Sequence, residues 1–216
     1  MRNVVRLFLI IVFVLTSASA ATISFVGSLD ADCTFGCQGN TSDGDYAQYA
    51  AAVYSFTVPV QATAYAITFS YGGGINGNSA VIPQGGFEPY LSLFDNAGNF
   101  LASTFSGENC PAGANSYQNA CWDVKLDMGT LAAGTYQIAI SAWENMSYAE
   151  NLGAGNLSDG FTGLGNLFPG EDLHFAFDVV TGAGGGGGEV PEPSAWLLAA
   201  SGLALIRFLA SHHPRA

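Results

Sequence analysis

The chain has 216 residues, room for one ordinary domain with processed ends, and a formal net charge of −12. Of its five Lys and Arg residues, Arg2 and Arg6 open the chain and Arg207 and Arg215 lie near its end. From Ala21 to Val190 Lys125 stands alone against every acid except Glu192, so this body carries close to −15. That sign repels phosphate backbones and excludes nucleic acid as a partner.

The first twenty residues, MRNVVRLFLIIVFVLTSASA, have a basic start and an apolar run from Leu7 to Leu15. Small residues follow, with Ala18 and Ala20 placed as an A-x-A cleavage signal. This is the pattern of a secretory signal peptide, a helix removed on export, and its apolar part is short for a spanning segment. A strand is expected over 22–26. Then come Cys33 and Cys37 in CTFGC, with Cys110 and Cys121 later in CPAGANSYQNAC. In an exported chain these predict disulfides. Four cysteines allow three pairings, of which Cys33–Cys37 with Cys110–Cys121 is the simplest. Neither spacing is C-x-x-C and no histidine lies near, so zinc is disfavoured.

The body from Ala21 to Thr181 shows period-2 patterning and no helical period. YSFTV (54–58) and TAYAITFSY (63–71) read as a pair of strands, the first ended by Pro59. PYLSLFDNAGNFLAST reads as a hairpin, with Asp95 starting the turn and Gly98 supplying a positive φ. Strands follow over 122–128 and in TYQIAISAW. In LHFAFDVV, Leu173, Phe175, Phe177 and Val179 alternate with Asp172, His174, Ala176 and Asp178, which predicts one core face and one solvent face, with His174 at the surface. About eight strands separated by Gly/Asn-rich turns predict an all-β antiparallel sandwich or jelly roll. Residues 151–170 form a long loop, of the kind that binds, packs on itself or stays disordered. Residues 182–189, GAGGGGGE, form a flexible linker that closes the domain.

Catalytic signatures are missing: no H-E-x-x-H, no G-x-S-x-G, no P-loop. A non-catalytic role is expected, and a secreted hydrolase would need an acid pair that spacing does not single out. Calcium is the one cofactor to weigh, through Asp43 and Asp45 in SDGDY and Asp95 in the hairpin, although no EF-hand loop is present. Glu144, Glu150, Asp159, Glu171 and Asp172 add further oxygen ligands. A glycan is the other candidate ligand, with Tyr117, Trp122, Trp143 and Tyr148 as flat stacking faces. Asn-x-Ser/Thr sequons occur at Asn40, Asn145 and Asn156.

The chain ends in VPEPSAWLLAASGLALIRFLASHHPRA (190–216). Its apolar run, Ser194 to Ile206, makes a helix of about 20 Å against a hydrocarbon core of about 30 Å, so it is a poor permanent anchor. Val190, Pro191, Glu192 and Pro193, followed by an apolar helix and basic Arg207 and Arg215, resemble the PEP-CTERM sorting signal of exopolysaccharide-producing Gram-negative bacteria. The resemblance implies a transient membrane stop, processing by exosortase, and release to the cell surface or extracellular polymer. The tail departs from the family in lacking a compact arginine cluster. The body, over roughly Asp43 to Val180, resembles secreted modules similar to bacterial pre-peptidase C-terminal domains. That resemblance implies a β-sandwich without catalysis, and carries no ligand residue with it.

Overall fold

A computed structural model describes residues 20–37, 50–105, 110–152, 155–165 and 167–182. The chain divides into two units, Met1–Gly185 and Gly186–Ala216. The second lies outside the described residues, as do Ala18, Asp43, Asp45, the 190–193 motif, Arg207 and Arg215. Among the described residues no helix is long and apolar enough to cross a membrane.

Eight long strands form two antiparallel four-stranded sheets. They are β1 (Ala21–Ser28), β2 (Ala51–Val58), β3 (Ala62–Thr68), β6 (Pro89–Asp95), β7 (Phe100–Phe105), β8 (Lys125–Leu131), β9 (Gly134–Ala142) and β10 (His174–Thr181); β4 (Gly74–Ile75) and β5 (Val81–Ile82) make a small hairpin. The sheet orders are β1-β10-β3-β8 and β2-β9-β6-β7. The fold is therefore an all-β sandwich. Its pairings are nested: β6 with β7, β3 with β8, β2 with β9 and β1 with β10. One long antiparallel hairpin, with its tip at residues 96–99, is rolled until β10 meets β3 and β9 meets β6. This is the jelly-roll arrangement, and it corrects the reading of 54–58 and 63–71 as partners. Only three residues join β2 to β3, yet the chain crosses between the sheets there instead of turning back.

The core lies between the sheets. Leu91, Leu93, Ile138 and Ile140 of one sheet face Leu126, Phe175, Phe177 and Val179 of the other, with Phe56, Val58 and Phe87 closing it. Strand composition explains the placement, since β-branched and aromatic side chains at every second position fill one face of a pleat. Gly129, at φ 65°, sits where the β3–β8 register shifts, leaving Met128 without a cross-strand partner. Only glycine enters that left-handed conformation without cost, and the bulge bends the edge strand.

Both sheets are also covered outside. Over the first sheet lies the β4–β5 hairpin, whose Ile82 packs on Ile67, Phe69 and Ala176. The Ser24 hydroxyl donates to Asp178 at 2.5 Å and the Gly77 N–H donates to the same carboxylate at 2.7 Å, so Asp178 pins the hairpin down. Asp178 is 5% exposed and Ala176 fully buried, which corrects the expectation of a solvent face there. His174 is likewise no plain surface residue: its ring meets Asp172, and its Nε2 lies 3.1 Å from the Pro83 carbonyl.

Over the second sheet, the described residues between 143 and 173 form a strap. It contains a short helix, α1 (Tyr148–Leu152), and a 3₁₀ turn at Leu157–Asp159 with a reciprocal capping box between Asn156 and Asp159. Its Leu157 and Ala149 pack on Phe94 and Ala139, and Phe161 packs on Phe35. It reaches as far as the tip of the long hairpin, where the Leu157 N–H donates to Gly98 O and the Asn156 amide to Ala97 O. The segment expected as an irregular loop is thus a packed one.

Candidate functional site

The connections are unequal. Three short ones, 59–61, 96–99 and 132–133, lie at one end of the sandwich, together with the start of β1 and the end of β10, where Ala21 pairs with Thr181. The long ones, 29–50, 69–88, 106–124 and 143–173, all leave from the opposite end. Both disulfides, Cys33–Cys37 and Cys110–Cys121, are in those long connections, in the sequence-local pairing.

The loop end is built around Asp123, which is fully buried. Its Oδ1 accepts from the Thr68 hydroxyl at 2.8 Å, from Ser70 N at 2.6 Å and from Tyr71 N at 3.3 Å, and its Oδ2 accepts from Gly72 N at 2.7 Å. Burial pushes this carboxyl upward, and the Gly72, Thr68, Ser70 and Tyr71 donors oppose that. Geometrically it is a clamp that turns the chain sharply after β3. Gly72 is required at the bend, because a Cβ there would lie 1.7 Å from the Asn115 carbonyl oxygen.

That turn delivers Tyr71 into a cluster of aromatic and acidic groups drawn from three connections. Tyr117 meets Tyr71 edge-on at 5.4 Å, and Trp122 hydrogen-bonds to the Tyr71 hydroxyl. Tyr117 is held by a two-residue turn in which Gln118 and Asn119 both have positive φ, inside the loop closed by Cys110–Cys121. Glu88 enters just before β6, where its carbonyl accepts from Trp143 N. Glu171 enters just before β10, its Oε2 accepting from Phe168 N at 2.9 Å while Oε1 is buried without a partner. Burial raises Glu88. Burial, with the nearby Glu88 charge, pushes Glu171 up to about 7 against the pull of the Phe168 N–H. Burial also raises Tyr71, as do Glu88, Glu171 and Tyr117 around it.

Of the aromatic residues expected to face a glycan, Tyr117 and Trp122 come together here. Trp143 neighbours Glu88 through its backbone, and Tyr148 lies apart on α1, 44% exposed. Of the expected calcium ligands, Glu171 and Asp172 lie at the loop end, and Asp95 lies at the opposite end. Its Oδ1 accepts from Ala97 N and Asn99 N and its Oδ2 from the Asn99 amide, which together hold the carboxyl below its usual range. It organises the hairpin tip. Among the described residues no group of three or more His, Cys, Asp or Glu side chains is placed to hold a metal ion.

Two sequons are structural. Asn145 is fully buried, its amide donating to Ala50 O and its carbonyl accepting from Gly163 N. Asn156 is occupied as the cap of the 3₁₀ turn. Asn40 lies outside the described residues.

Tyr71 and Glu88 were not legible as site residues. Tyr71 reads as one more apolar position at the end of a strand, and Glu88 as a lone acid before a proline. The fold brings them together across 17 positions of sequence. Matched against known proteins, the chain meets no family model and no curated sequence.

Proposed function

We propose that this is an exported, non-catalytic envelope or matrix protein, sorted through its C-terminal segment and presenting the loop end of the sandwich to extracellular polymer. The supporting observation is the polarity of the body. Its N-terminal strand starts at Ala21, beside Thr181, so the tail departs from the short-turn end. The long connections, the disulfides and the aromatic–acidic cluster occupy the other end. The end of β10 and the elaborated face are thus at opposite ends of the body. Two disulfides suit an oxidising, exported setting. Exosortase and the membrane, through residues 190–216, are the partners this reading requires.

The test is mass spectrometry of the mature protein from its producing cells, in cell-bound and released fractions. The reading expects an N-terminus at Ala21 and loss of the segment after the 190–193 motif. A C-terminus at Ala216 in every fraction contradicts it.

A narrower reading, favoured by the meeting of Tyr71, Tyr117 and Trp122, is that the loop end binds a glycan by ring stacking and hydrogen bonds to carboxylates. Calcium plays no role in that version. A retention assay on polysaccharide, with and without EDTA, separates it from a calcium-dependent module.

A further inference from the structure

The turn of the β4–β5 hairpin carries an Asn-Gly step, Asn76–Gly77, set among unusual partners. Asn76 is 4% exposed. Its Oδ1 accepts from Asn78 N at 3.1 Å and from Ala80 N at 2.9 Å, while its Nδ2 is shut away from water with no partner. Two donors therefore draw electron density from Cγ, and nothing holds the amide nitrogen in place. A buried amide left half-satisfied calls for a reason beyond packing. The next residue supplies one. Gly77 N–H donates to the Asp178 carboxylate at 2.7 Å, and the other oxygen of that carboxylate is fixed by the Ser24 hydroxyl. A backbone nitrogen is a poor nucleophile until its proton is taken, and a carboxylate at this distance is within reach of that proton. Gly77 runs so close to β1 that a Cβ would lie 2.3 Å from Thr22 Cγ2, so the nitrogen belongs to a residue with no side chain to shield it. Gly77 and Asn78 are exposed, which brings water to the site.

We propose that Asn76–Gly77 is a self-modifying site, at which the folded hairpin converts Asn76 to aspartate and isoaspartate without an enzyme. Asp178 takes the proton of Gly77 N, and that nitrogen bonds to Asn76 Cγ while the Asn78 and Ala80 N–H groups hold the oxyanion. The Cγ–Nδ2 bond then breaks, and Nδ2 leaves as ammonia with the proton returned by Asp178. Water opens the resulting succinimide ring at either carbonyl, so the net change is amide plus water to carboxylic acid plus ammonia. The new carboxylate sits one residue from the nitrogen that Asp178 holds. Lys125, the one Lys or Arg among the described residues, is engaged with Asp127 and does not offset the added charge. The modified hairpin is therefore held less firmly over Ile67, Phe69 and Ala176, the apolar patch on which Ile82 packs.

The test is incubation of the full-length protein at neutral pH, followed by chymotryptic mapping of residues 72–87 with fragmentation that separates aspartate from isoaspartate. The same chain held in denaturant with its disulfides reduced gives the rate without the fold. The folded protein is expected to convert Asn76 at least about tenfold faster than the denatured chain, a modest share of the roughly 10²–10⁴ that a positioned general base supplies. Asn78, in the same peptide, is expected to convert no faster folded than denatured. Asp178→Asn keeps an acceptor for Gly77 N but removes the base, and is expected to bring the Asn76 rate down to that of the denatured chain. Asn76→Asp installs the product carboxylate directly and is expected to lower the melting temperature. A folded rate equal to or below the denatured one overturns the proposal, as does equal acceleration at Asn78 or an unchanged rate in Asp178→Asn. An unmoved melting temperature in Asn76→Asp overturns the loosening of the hairpin.

Discussion

The two ends of the sandwich solve the same problem by opposite means. At the turn end, connections of two to four residues close strands with local chemistry, and Asp95 spends its whole carboxylate on its own turn. At the loop end, connections of about twenty to thirty residues are held by bonds from afar. Asp123 reaches back some fifty positions to Thr68 and Gly72, and Cys110–Cys121 fastens the loop that carries Tyr117. Local closure costs little and leaves nothing over for binding. Long-range closure requires buried charge and disulfides, and it gathers side chains from three connections in one place.

If that contrast is right, the largest loss follows Asp123→Ala. Three backbone N–H groups and a hydroxyl would lose their acceptor inside the protein, at an expected cost of at least about 3 kcal/mol in chemical denaturation. Asp123→Asn, which keeps one acceptor, should cost less. Replacing Cys110 and Cys121 with serine comes next, at about 3 kcal/mol, and should exceed the loss of Cys33–Cys37, about 2 kcal/mol, because it opens the longer loop. A reversed order would show that the 110–121 loop is not the one that matters.

A smaller effect distinguishes the ends by pH. Glu171 is raised in the folded state, so the folded protein binds its proton more tightly than the unfolded chain does. The stability this gives is complete below the ordinary glutamate range near 4.5 and is lost as pH rises through about 7. The melting temperature should therefore fall between pH 5 and pH 8, and Glu171→Gln should remove most of that fall. Asp95 runs the other way: it is lowered, so its contribution is present at neutral pH and lost on acidification through its depressed folded value. Asp95→Ala should give the smallest change of the series at pH 7, seen as faster exchange of the Ala97 and Asn99 amides.

The sequence was most readable at the turn end. Asp95 and Gly98 announce their hairpin because both act within five residues, and the alternation in β9 and β10 locates the inner faces. The outer faces were not readable. A covered outer face looks like a solvent face whenever its residues are small or polar, as Ala176, Asp178 and Ser141 are, all buried. The β4–β5 hairpin is two residues a side and has no period to detect. The nested pairing escaped for a related reason, since a three-residue link between β2 and β3 suggests a hairpin unless both strands are already claimed by partners far along the chain. The cysteine pairing was legible as the simplest of three. The site was half-legible: Tyr117 and Trp122 stood out as aromatic residues among polar ones, while Tyr71 and Glu88 acquire meaning only once Asp123 turns the chain.

The central claim, that the loop end works while the turn end attaches, is tested most directly by retention of the purified body on the exopolysaccharide of its producing cells. Two paired variants should be compared with the unmutated protein: Tyr117→Ala with Trp122→Ala at the loop end, and Asn96→Ala with Thr135→Ala at the turn end. The account predicts that the loop-end variant, still folded by its melting curve, loses retention while the turn-end variant keeps it. Equal retention of both, or loss confined to the turn-end variant, would contradict it.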